Sequence, residues 1–155
     1  MNLFSSVALA AQLTFAPLLA APHWIGERPT PKTLAGRVVL IDVFTYSCVN
    51  CQNVVPELRR LRKTYGSNDL EIVGVHTPEL PSDRVRSNVA QNLAAQQITW
   101  PVAIDNDQSL WDAYGVTAWP TQFIFDRKGV LRKTVVGDSQ DATVAATIEA
   151  LVAEH

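Results

Sequence analysis

Val38-Val39-Leu40-Ile41-Asp42-Val43-Phe44-Thr45-Tyr46-Ser47-Cys48-Val49-Asn50-Cys51 is the stretch that decides the fold. Its first seven residues form a β-branched, apolar block interrupted by Asp42, the pattern of a strand buried on both faces. Directly beyond it, Val49, Val54, Val55, Leu58 and Leu61 recur at helical spacing as far as Gly66, so the cysteine pair opens a helix.

Working outward, Leu70-Glu71-Ile72-Val73-Gly74-Val75 reads as a second central strand. A helix from about Ser82 to Gln97 follows Pro81, with Ser82-Asp83 as its cap signal, and leads to a short strand at Val102-Ala103-Ile104. Strand, helix and strand in that order imply a parallel crossover. Gln108 to Tyr114 reads as a short helix. Gln122 to Phe125 and Val130 to Val136, joined by Asp126-Arg127-Lys128-Gly129, read as a β-hairpin. A last helix spans Asp141 to Ala153, with Val144, Ile148, Leu151 and Val152 on one stripe. The expected fold class is α/β, with a mixed central sheet covered by helices on both faces.

The 155 residues suffice for one domain, and 47% hydrophobic with 18% charged residues is the composition of a packed globular chain. Net charge is -2 with no basic run, so no electrostatic footprint for nucleic acid is visible. Residues 1–21 stand apart: Leu3 to Ala21 is mostly apolar, and the first Lys or Arg is Arg28. Two readings fit this segment, an export signal or anchor with a domain spanning 22–155, or an apolar helix packed on that domain.

Cys48 and Cys51 are the chain's two cysteines, which leaves none for a disulfide framework or a four-thiolate metal site. Thiol-disulfide exchange needs a first thiol with access and a stabilised thiolate, and a second thiol within reach to resolve the mixed disulfide. A C-x-x-C at a helix start supplies both. Unpaired N–H groups and the helix dipole favour negative sulfur at Cys48, and Cys51 lies one turn in. Cys48 is thus expected to be the nucleophile and Cys51 the resolving thiol. A structural disulfide across so short a loop would be a weak staple. Zinc would need further ligands, and His23, His76 and His155 show no paired spacing, so no metal site is expected.

These residues carry a family resemblance. Asp42 in a central strand, Cys48 six residues later, Cys51, and Pro56 within the first helix resemble the thioredoxin superfamily. More narrowly, Thr45 to Cys51, Gly74-Val75-His76-Thr77-Pro78-Glu79, Asp105-Asn106-Asp107 and Trp119-Pro120 resemble the redoxin domains of the TlpA-like and DipZ-like group, over about Trp24 to Val152. The resemblance implies a thioredoxin-like fold with an extra helix, about Ser82 to Gln97, inserted between central strands. It implies an extracytoplasmic thiol-disulfide oxidoreductase acting on protein thiols and disulfides. Its electrons would come from a membrane thiol carrier of the CcdA or DsbD kind, and it would use no cofactor beyond the Cys48–Cys51 disulfide. It also implies a cis peptide bond before Pro120, with the Trp119 backbone offered to a substrate strand. Asp42 takes the place of the buried acid beneath the cysteines, where desolvation would raise its pKa and let it move protons to and from Cys51.

Ser47 replaces the aromatic residue that precedes the first cysteine in many thioredoxins, and the Val49-Asn50 pair leaves the direction of electron flow open. Two rival functions share parts of this pattern. Thr45, three residues before Cys48, matches a peroxidase, but Ile41 stands where that plan needs proline. A copper-binding module would space its cysteines by three residues and need a histidine, for which His76 is the candidate; otherwise His76 reads as structural. Trp24, Trp100 and Trp111 read as packing residues.

Overall fold

A computed structural model describes residues 12–155. In chain order the elements are α1 (Ala16–Ala20), β1 (Trp24–Ile25), α2 (Pro31–Leu34), β2 (Val38–Phe44), α3 (Val49–Asp69) and β3 (Leu70–His76). A 3-10 turn (Pro81–Arg84), α4 (Arg86–Ala95), β4 (Val102–Ile104), α5 (Ser109–Ala113), β5 (Thr121–Phe125), β6 (Leu131–Val136) and α6 (Asp141–Ala153) follow. Among the described residues, six strands form one sheet in the order β1-β4-β3-β2-β5-β6. β2, β3 and β4 run parallel, while β1, β5 and β6 pair antiparallel with their neighbours. The mixed sheet with helices on both faces is the architecture read from the sequence.

All seven residues of β2 are buried, and their period-2 alternation divides the core in two. Val38, Leu40 and Phe44 join Cys51, Val54, Val55, Leu58 and Leu61 of α3, Val89 and Leu93 of α4, and Val144, Ile148 and Leu151 of α6. Val39, Ile41 and Val43 face the opposite way, toward Leu18, Leu34, Leu110 and Tyr114. Asp42 shares parity with Leu40 and Phe44, so the alternation turns it toward α3 and the cysteines.

Three details differ from the sequence reading. The inserted helix is not continuous: at φ -82° and ψ 109°, Val85 separates the 3-10 turn from α4. Asp83 caps no longer helix, because its carboxylate turns back to the Glu79 and Leu80 N–H groups. Past Gly66, whose φ of 65° interrupts the helical backbone, the α3 segment resumes as far as Asp69. Two-residue β1, paired with β4, is too short for any periodicity to mark.

Within the N-terminal segment, residues 12–21 are described, and 1–11, with their share of the signal or anchor reading, lie outside the described residues. Leu18 is fully buried, and the Phe15 ring packs 4.8 Å from that of Phe125. Tyr114 Oη donates to the Thr14 carbonyl at 2.8 Å, and the Arg28 guanidinium bonds the Leu19 carbonyl. This part of the segment therefore packs into the same core as the rest. Among the described residues, no helix is long and apolar enough to cross a membrane.

Candidate active site

β2 delivers the chain to the sheet's carboxyl edge, and the Thr45–Ser47 loop carries it into α3. Cys48 is the N-cap of that helix in extended conformation (φ -85°, ψ 118°), and its Sγ accepts the Cys51 N–H at 3.1 Å. A sulfur there faces the helix end where unpaired N–H groups and the dipole favour negative charge. Cys48 is half-buried with Val49 exposed beside it, whereas Cys51 is 1% exposed. Burial pushes the Cys51 thiol up, the hydrogen bond with Cys48 adds to this, a backbone contact with Thr45 opposes it, and charges on Cys48 and Asp42 raise it further. The two sulfurs thus differ in access, and burial keeps the Cys51 thiol protonated.

Asp42 is 2% exposed and pairs across the sheet with Gln122 on one side and Gly74 on the other. Burial pushes its carboxyl up to about 7, against a smaller opposing contribution from the Gln122 side chain, and its Oδ1 has no hydrogen-bond partner among the described residues. A carboxyl close to neutrality and electrostatically coupled to Cys51 is suited to exchanging a proton with it.

The Trp119–Pro120 peptide bond is cis. Pro120 is buried, and Trp119 is half-buried against the cluster that contains Cys51. The Trp119 indole N–H donates to the Thr77 carbonyl at 3.0 Å, and its ring lies 4.3 Å from that of Trp111. Trp111, read as a packing residue, therefore braces Trp119. Thr77 is fixed in turn: its hydroxyl donates to Asp105 at 2.7 Å, and the Asp105 carboxylate also receives the Leu110 and Trp111 N–H groups of α5.

His76 is fully buried, with its Nε2 accepting the Tyr46 N–H at 3.1 Å and its ring stacked on that of Tyr46. Burial lowers its pKa to about 4, so the ring is neutral and supports the cysteine loop. That lone pair is committed to Tyr46 rather than open to a metal. The Thr45 hydroxyl, 3.0 Å from Asp83, is committed likewise. Sequence reasoning missed Asp83, whose role depends on a partner far along the chain; the hydroxyls of Thr45 and Ser47 beside a candidate nucleophile were the one local signal.

A family model described as Redoxin matches residues 25–151. Protein DipZ of Mycobacterium tuberculosis (strain CDC 1551 / Oshkosh) is 37% identical over 147 residues, covering 90% of this chain and 21% of DipZ. The chain thus spans about a fifth of the length of the DipZ proteins it matches. Thiol-disulfide oxidoreductase YkuV of Bacillus subtilis (strain 168) is 29% identical over 130 residues, covering 84% of this chain and 81% of YkuV. In fold, the chain is similar to the crystal structure of a thiol-disulfide isomerase from Corynebacterium glutamicum, with a TM-score of 0.79 and 23% identity over 87% of this chain and 94% of that one.

Proposed function

This chain belongs to the Redoxin family, and on that premise we propose that it is a thiol-disulfide oxidoreductase in which Cys48 attacks and Cys51 resolves. The observation that carries the reading is Cys48 Sγ at the N-cap of α3, accepting the Cys51 N–H at 3.1 Å, with Cys51 buried behind it. In the reducing direction, the Cys48 thiolate attacks one sulfur of a client disulfide; that S–S bond breaks, and the client's other sulfur leaves as a thiolate. Cys51 gives its proton to the Asp42 carboxylate and attacks Cys48 Sγ. The second client thiolate departs, the Cys48–Cys51 disulfide forms, and two electrons have passed to the client. Trp119 and Pro120 form the client-binding edge, with the Trp119 backbone pairing to an extended client segment.

We place this chemistry outside the cytoplasm, on proteins as clients, with a membrane thiol carrier of the CcdA or DsbD kind returning the electrons. The resemblance of the motifs to the TlpA-like and DipZ-like group supports that setting and direction. A peroxidase reading is disfavoured because the Thr45 hydroxyl donates to buried Asp83. A copper module is disfavoured by the engagement of His76 Nε2.

The test is insulin disulfide reduction. The wild-type chain is expected to reduce insulin and Cys48→Ser to be inactive; full activity in Cys48→Ser would overturn the mechanism. The midpoint potential decides direction: a value near about -270 mV marks a reductant, whereas one near about -120 mV would withdraw the reducing assignment. A membrane-impermeant maleimide that failed to label Cys48 in intact cells would withdraw the extracytoplasmic placement.

A further inference from the structure

Asp83 sits in the inserted 3-10 turn, fully buried. Its Oδ2 accepts four hydrogen bonds: from Thr45 Oγ1 at 3.0 Å, Ser47 Oγ at 2.9 Å, the Glu79 N–H at 3.1 Å and the Leu80 N–H at 2.9 Å. Two of these donors belong to the loop entering Cys48, and two to the loop leaving β3. Burial works against the charge, but these donors outweigh it and hold the carboxyl below its ordinary value. Charge-assisted bonds of this kind are shorter and stronger than neutral ones.

The neighbouring contacts act on the same loop. Tyr46 donates its N–H to His76 Nε2 and its hydroxyl to the Ser82 carbonyl at 3.2 Å. The Cys48 N–H donates to the Thr45 carbonyl at 3.3 Å. Thr45, Tyr46 and Ser47 are thus each held from behind, and Asp83 holds the first and the last. With both hydroxyls given to Asp83, the donor presented to Cys48 Sγ is the backbone N–H of α3.

We propose that Asp83 is a positioning residue for the exchange centre: from the insertion, its carboxylate fixes Thr45 and Ser47 in the geometry that places Cys48 Sγ at the N-cap of α3. The insertion is then part of the reactive centre rather than only a surface around it. This rests on the reading of Cys48 as the reactive thiol, because a reacting group gains from being held in place.

The experiment measures the pH profile of Cys48 alkylation by iodoacetamide in the full chain carrying Cys51→Ser. Asp83→Ala is expected to move the profile to higher pH and to slow alkylation at pH 7 about fivefold, the size of a lost helix-cap interaction. Asp83→Asn keeps an acceptor oxygen of the same shape facing the Thr45 and Ser47 hydroxyls without the charge, and is expected to restore the rate to within about threefold of the parent. An unmoved profile in Asp83→Ala would reduce the residue to a structural part and overturn the proposal. So would a shift to lower pH, the mark of a bare charge effect, or an Asp83→Asn variant as impaired as Asp83→Ala. If Asp83→Ala lacks a native near-UV spectrum, Ser47→Ala decides instead: an upward shift supports the proposal and an unmoved profile overturns it. Insulin reduction by the wild-type chain separates the two levels, since its failure removes the redox reading, while failure of the alkylation shift alone removes only the role of Asp83.

Discussion

The Cys51 N–H points at Cys48 Sγ across 3.1 Å, while the Cys51 side chain is itself buried. The two cysteines are therefore unequal before any client arrives. With limited iodoacetamide under reducing conditions, Cys48 is expected to be labelled at least about tenfold faster than Cys51, because Cys48 is accessible whereas Cys51 is buried and its thiol is held protonated. In Cys51→Ser, mixed disulfides with clients should persist on non-reducing gels. Equal labelling of the two thiols by peptide mapping would remove the assignment of roles.

Asp42 and His76 make opposite contributions to stability. Burial raises Asp42 to about 7, so between about pH 4 and 7 the unfolded chain has released a proton that the folded one keeps, and stability falls as pH rises through that window. Burial lowers His76 to about 4, so between 6.5 and about 4 the unfolded chain takes up a proton that the folded one refuses, and stability falls as pH is lowered. Relative to wild type, Asp42→Asn should gain roughly 4 kcal/mol from pH 4 to pH 8, and His76→Gln roughly 3 kcal/mol from pH 7 to pH 4. Urea denaturation of the reduced proteins checks both; a pH-independent difference for either variant contradicts the assigned pKa.

Trp119 is held by its stack on Trp111 and by its bond to the Thr77 carbonyl. A double-mutant cycle of Trp111→Leu and Trp119→Leu should return a coupling of about 0.5–1.5 kcal/mol. Trp119→Phe keeps a ring but leaves the Thr77 carbonyl without its donor. It should raise KM for a protein disulfide while leaving the rate toward a small disulfide unchanged. Equal effects on both substrates would count against a client-binding role.

Leu18 is fully buried between the N-terminal helix and the sheet. Leu18→Ala should therefore cost about 2–5 kcal/mol in urea denaturation, the range for a leucine deleted from a packed core. A cost below about 0.5 kcal/mol, typical of surface substitutions, would mean that α1 does not dock in solution.

Gly74 lies in the central strand β3, where an added Cβ would come within 2.9 Å of Val102 Cγ2 and 3.0 Å of Phe44 Cε1. Both neighbours are buried, so Gly74→Ala should destabilise by about 1–3 kcal/mol through overpacking. A neutral result would show that Phe44 and Val102 can yield at that point.

The sequence by itself determined the elements that have their own periodicity or punctuation. β2 and β3 are apolar runs, α3 and α6 carry apolar stripes, and the β5–β6 hairpin is marked by Asp126 to Gly129, so each is legible from neighbours a few residues apart. The position of Cys48 at the start of a helix followed from the same local evidence, and the motif resemblance pointed to Asp42 and Pro120. Tertiary structure alone decided what depends on residues distant in the chain: that one oxygen of Asp83 gathers Thr45 and Ser47, that His76 supports Tyr46, that Trp111 braces Trp119, and that Leu18 enters the core. The physical reason is that a pattern of side-chain types records which face of an element is apolar, whereas a hydrogen bond or stacked pair between distant segments exists only once the sheet order has brought them together.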